Sequence, residues 1–202
     1  MKRSLLAFLT MLSVSVVYAG NEDSTYIRVI TERAGKIVST LGLPDSTSFY
    51  RIRTLVANQY FNLNVIYTER DAQLKQSGDK ATIQQDVDGK VAKLHTDYLA
   101  KLGAVLSQEQ VIKIKDGMTY SVLEVTYKGY QDELPNLTDE QKAYILTNLT
   151  EAREHAMDAE SSQKKHAWFG KYKGRINNYL SAQGIDMKKA GEEWRRRVSG
   201  GT

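Results

Sequence analysis

Only two prolines, Pro44 and Pro135, occur in 202 residues, and each lies where a turn is wanted. Proline inside a helix removes a backbone donor and clashes with the preceding turn, so its scarcity leaves long segments free to be helical. Those segments are rich in Ala, Leu, Lys, Glu and Gln, with apolar residues at three-and-four spacing. The pattern predicts an all-α, single-domain helical bundle over residues 20–202.

A first helix is expected from Ser24 to Leu41, burying Tyr26, Ile27, Ile30, Ile37 and Leu41, with Gly42 ending it. A second runs from about Asp45 to Gln76 and carries the stripe Ile52, Leu55, Val56, Leu63 and Ile66. The third repeats this through Ile83, Val87, Val91, Leu94, Tyr98, Leu102 and Val105, so the two form a long antiparallel hairpin closed by the turn Gln76–Asp79.

Two helix starts are explicit. Ser107 and Thr138 each stand three residues before a glutamine, Gln110 and Gln141, which is the capping-box spacing. Between them, Met118 to Tyr130 holds Val122, Val125, Thr126, Tyr127 and Gly129 and reads as an irregular, partly extended loop near 118–136.

The N-terminus has the form of an export signal. Lys2 and Arg3 precede an apolar run from Leu5 to Val17, and Val17-Tyr18-Ala19 offers small residues for cleavage after Ala19. The run is short for a bilayer span, so stable membrane insertion is not expected. The formal charge of +4 falls by the charges of Lys2 and Arg3 once that segment is removed, which gives no case for nucleic-acid binding. With no cysteine, disulfides, thiol nucleophiles and thiolate metal sites are all excluded. The location implied is periplasmic or secreted.

Charge is divided late in the chain. Residues 131–160 carry eight acidic and two basic side chains, and residues 164–197 carry ten basic and three acidic. Mutual complementarity between neighbouring helices accounts for this as well as any ligand does.

The densest candidate for chemistry is Asp158 to Tyr179. It sets Trp168 and Tyr172 among Lys165, His166, Lys171, Lys173 and Arg175. Aromatic rings stack on the C–H faces of sugars while forked polar groups take the hydroxyls, so the segment suits a glycan, particularly an acidic one. Against this, Phe169, Tyr172, Ile176 and Leu180 fall at helical spacing and fit a core stripe, which makes the off-stripe Trp168 the informative residue. The tripeptide Tyr-Lys-Gly occurs at Tyr127-Lys128 and again at Tyr172-Lys173; with Tyr130, both copies are candidates for one cleft.

Glu151, His155 and Asp158 share a helix face, enough for acid–base work, though a solvated polar face is the better reading of them. His95 beside its apolar stripe reads as a packing histidine. Nucleophile-elbow, P-loop and dinucleotide motifs are absent, as is His-Glu-x-x-His. No cofactor, metal or catalytic residue is assigned, and the balance favours a non-catalytic role.

Several motifs together resemble a known family: Asp116-Gly117-Met118-Thr119-Tyr120, Val125 to Tyr130, Leu134 to Thr138, Ala156 to Ala159, and His166 to Gly174. They look like the domain of unknown function 3826 family, exported bacterial proteins catalogued as sugar-binding. The resemblance implies a carbohydrate ligand and brings no catalytic residues. The two Leu-Ser/Thr-x-x-Gln starts also resemble Spy-like periplasmic chaperones, although a well-capped helix requires the same pattern. A chaperone or assembly helper, and a polysaccharide lyase or hydrolase, therefore stand as alternatives.

Overall fold

In the computed structural model, residues 15–76 and 79–200 are described, with side chains from Ser24 onward. The export-signal expectation for residues 1–19 lies outside the described side chains, and the tip of the expected Gln76–Asp79 turn also falls outside. The described chain is helical throughout, and none of its helices is long and apolar enough to cross a membrane.

Helix α1 spans Ser15–Val38 and passes through a 3-10 turn, Ser39–Leu41, into Gly42 at φ 63°. A left-handed residue here lets the chain reverse without a Cβ penalty. Helices α2 (Ser46–Lys75) and α3 (Lys80–Gly103) form the expected hairpin, capped by Asp45 and Asp79. Helix α4 (Gln108–Met118) and helix α6 (Asp139–Met157) both begin with complete capping boxes, at Ser107/Gln110 and Thr138/Gln141.

The stretch after Met118 departs from expectation. Instead of an irregular, partly extended loop, a tight turn through Tyr120 (φ 59°) and Ser121 (φ 53°) leads into helix α5, Val122–Glu133. Val122, Leu123, Tyr127 and Tyr130 pack against the core, whereas the β-branched Val125 is 69% exposed. Burial of that face outweighs the modest preference of β-branched residues for strand. Helices α7 (Ser162–Ala182) and α8 (Met187–Ser199) complete the chain.

Two apolar cores result. The first joins α1 to α4 through Ile30, Ala34, Val56, Tyr98, Leu102 and Ile114. The second joins α5 to α8 through Tyr130, Ile145, Leu149, Phe169, Ile176 and Leu180. The C-terminal end of α6 bridges them, because Met157 is buried in the first and Ala156 in the second. Ile27 was expected inside with its stripe, but it is 49% exposed, since α1 meets its neighbours over Ile30, Ala34, Ile37 and Val38. Of the late charge contrast, one direct tie crosses between α6 and α7, Arg175 Nη1 to Glu151 Oε2 at 3.3 Å.

Candidate functional site

The seam between the two cores opens into polar clefts, and the end of α6 is their floor. Asp158, the C-cap of α6, is buried and its carboxylate is fully engaged. Gln59 Nε2 donates to Oδ1 at 3.1 Å, and His95 Nδ1 lies 2.6 Å from Oδ2. Tyr67 donates its hydroxyl to the Asp158 carbonyl at 2.8 Å. A buried carboxylate needs such partners to offset desolvation.

Lys165 completes the floor from α7. Its Nζ is buried and donates to the carbonyls of Ala156 (3.0 Å) and Met157 (2.8 Å) at the negative end of α6; the Ala156 carbonyl also accepts from the backbone N–H groups of Asp158 and Ala159. Burial lowers its pKa to about 8, with Arg33 adding to the effect and Asp158 opposing it. On the other side, the hydrogen bond that Asp158 accepts from His95 raises the His95 pKa, helped by the charges of Asp158 and Glu154 and opposed by burial and Lys115. Glu154 Oε2 is 3.7 Å from His95 Nε2 and 2.6 Å from Lys115 Nζ.

Around this floor lies a groove between the α2–α3 hairpin and α6–α7. One part, about 490 Å³, is lined by Gln84, Asp88, His95, His155, Asp158 and Trp168. It adjoins a second part, about 400 Å³, where Arg70, Lys164 and Lys171 join Trp168. Tyr67 and Ala159 line both, and they line a third cleft behind them, of about 340 Å³, with Tyr26, Tyr60, Tyr120 and Lys165. The indole of Trp168 stacks on His155, with centroids 4.4 Å apart, and Lys171 Nζ lies 4.9 Å from the ring centroid.

The predicted residues are therefore divided. Asp158, Trp168, Lys171 and Lys165 line the adjoining clefts. His166 stacks at 5.8 Å on Tyr120, a wall of the third cleft. Tyr172 is buried in the second core and Tyr127 packs against it, so the paired Tyr-Lys-Gly copies give tyrosines to the interior. Tyr130 is buried and donates to Asn177 Oδ1 at 2.6 Å; with Lys173 it lines a different cleft, beside α8. Lys128 is exposed, and Arg175 lies over the Tyr172 ring at 4.5 Å. Of the face Glu151, His155 and Asp158, only the last two reach the groove, because Glu151 turns to Arg175.

Gln59, Tyr67 and His95 were not singled out as site residues. Gln59 had a signal, an amide between Val56 and Leu63 on the apolar stripe of α2, where a polar group must find a buried partner. Among the described residues, no group of three or more His, Asp or Glu side chains is placed to hold a metal ion.

Comparison with curated proteins gives no match. A family model matches residues 27–199, from the middle of α1 to the end of α8. The chain thus belongs to the family described as Protein of unknown function (DUF3826).

Proposed function

We propose that the chain is an exported carbohydrate-binding protein whose ligand lies in the groove walled by Tyr67 and Trp168. The observation that carries this reading is the contiguity of the clefts: two aromatic side chains line one groove with Gln84, Asp88 and His95 between helices. Concave sites with aromatic walls and a few fixed polar groups are the usual form of small-ligand sites, and they favour element interfaces of this kind. The rings offer stacking area at low entropic cost, and the amide and carboxylate offer fork-like hydrogen bonds to vicinal hydroxyls.

Calorimetry of the mature chain against neutral and acidic oligosaccharides tests it. Binding is expected, and Trp168→Ala is expected to weaken it at least tenfold while the helical circular dichroism is unchanged. Undiminished binding by the folded variant, or no binding to any oligosaccharide, would overturn the reading.

A second reading has one observation in its favour. His95 lines the groove with its Nδ1 held by Asp158 and its Nε2 3.7 Å from Glu154 Oε2, and a carboxylate holding one imidazole nitrogen is the arrangement that orients a general base. Release of new reducing ends or unsaturated products from a polysaccharide by the wild-type chain, lost in His95→Gln, would support a lyase or hydrolase. An inert wild-type chain would remove it.

A further inference from the structure

The cleft behind Tyr67 differs in charge from the groove in front of it. Its acidic lining residues, Asp71 and Glu160, are both already held by Arg70, whose Nη2 lies 2.7 Å from Asp71 Oδ1 and 2.5 Å from Glu160 Oε2. Among the described residues, no carboxylate lies at ion-pair distance from the two cations that line this cleft, Arg33 and Lys165. Arg33, from α1, lies over the Tyr60 ring at 5.5 Å from the centroid. Lys165 Nζ is 6.0 Å from the same ring, and only two of an ammonium's three donors are spent, on the carbonyls of Ala156 and Met157. Asp158, the carboxylate nearest to Lys165 in charge effect, is itself occupied by His95 and Gln59.

The two cations therefore both lie near one tyrosine ring, with no carboxylate of the described residues paired to either. Lys165 is buried and Arg33 is exposed, and two like charges facing one cleft repel unless something compensates them. Burial and the neighbouring Arg33 depress the lysine's basicity, and an anion placed near both cations would favour the charged lysine and screen it from Arg33. The chain also spends backbone energy on the opposite wall. Tyr120 and Ser121 are consecutive non-glycine residues in the left-handed region, where each costs about 1–2 kcal/mol, and the turn presents Tyr120 to the cleft. Strain of this kind concentrates at ligand sites.

We infer that this cleft is a subsite for an anionic saccharide unit, with the negative group between Arg33 and Lys165 and the sugar ring among Tyr60, Tyr67 and Tyr120. The inference rests on the carbohydrate reading above and names the class of sugar. A uronate carboxylate and a sulfate ester share the chemistry, so both are tested.

The mature chain is titrated with oligogalacturonate, with the same oligosaccharide fully methyl-esterified, and with a sulfated oligosaccharide and its desulfated counterpart. Methyl esterification removes the charge and keeps the ring. A charged member is expected to bind at least tenfold tighter than its neutral partner, with the preference shrinking as salt is raised. Which pair shows the preference identifies carboxylate or sulfate. Arg33→Gln, an exposed substitution that leaves both cores intact, is expected to remove most of the preference and leave neutral binding unchanged. Lys165→Met, where it folds, is expected to remove the preference as well. Equal affinity within both pairs, or a preference that survives Arg33→Gln, would overturn the subsite. If neutral sugars still bind through Trp168 in that case, the carbohydrate reading stands alone. If nothing binds, both fall.

Discussion

Asp158 Oδ2 lies 2.6 Å from His95 Nδ1, and this contact ties the end of α6 to the middle of α3. The same carboxylate accepts from Gln59 of α2, so one buried side chain gathers three helices. Removing one member of a buried polar pair leaves the other unsatisfied. Asp158→Ala is therefore expected to destabilise by about 3 kcal/mol, read by urea unfolding. A loss below 1 kcal/mol would show that the contact holds nothing.

The His95 pKa is raised, so its sign in the stability profile is fixed. The folded chain keeps this proton at pH values where the unfolded chain has lost it. The contribution is full below the ordinary histidine value of about 6.5 and is lost as pH rises through the folded value. Unfolding free energies across this range should fall with pH in the wild type relative to His95→Gln. Parallel profiles would contradict the pairing.

Lys165 acts in the opposite sense. Burial lowers its pKa to about 8, so between there and the ordinary lysine value of about 10.5 the unfolded chain binds a proton that the folded chain does not. Stability should rise with pH over that interval relative to Lys165→Met. Addition of an anionic ligand should move the start of the rise to higher pH.

Ser121 sits at φ 53° with its backbone N–H donating to the Asp116 carbonyl at 2.8 Å. Glycine relieves the left-handed strain at the cost of a freer unfolded chain. Ser121→Gly is expected to stabilise by about 0.5–1 kcal/mol in thermal or chemical unfolding. Destabilisation would mean that the serine side chain holds the turn by itself.

Gly117 lies where α4 crosses α1, and a Cβ there would stand 2.9 Å from Ile37 Cγ2. Alanine gains helix propensity of up to about 1 kcal/mol, but overpacking costs about 1–3 kcal/mol. Gly117→Ala is thus expected to lose about 1 kcal/mol net. Coupling it with Ile37→Val, which clears part of the space, should recover some of that loss.

Much of the architecture was legible because helix signals are local. The α2–α3 hairpin, the capping boxes at Ser107 and Thr138, and the stop at Gly42 follow from spacing and cap chemistry within a few residues. Trp168 stood out for the same reason, as an aromatic off the Phe169–Tyr172–Ile176–Leu180 stripe. Helix α5 was misread because its β-branched residues speak locally for strand, and only contact with the second core gives its inner face a reason to be helical.

The amino-acid sequence by itself determined that this is a bundle of capped helices with no thiol chemistry. Tertiary structure alone decided which polar residues meet. Gln59, His95 and Asp158 are separated by dozens of residues, and Arg33 and Lys165 by most of the chain, so no spacing rule links them. They converge because α6 ends at the seam between two cores, where a buried carboxylate and the last carbonyls of the helix meet whatever side chains the packing brought within reach.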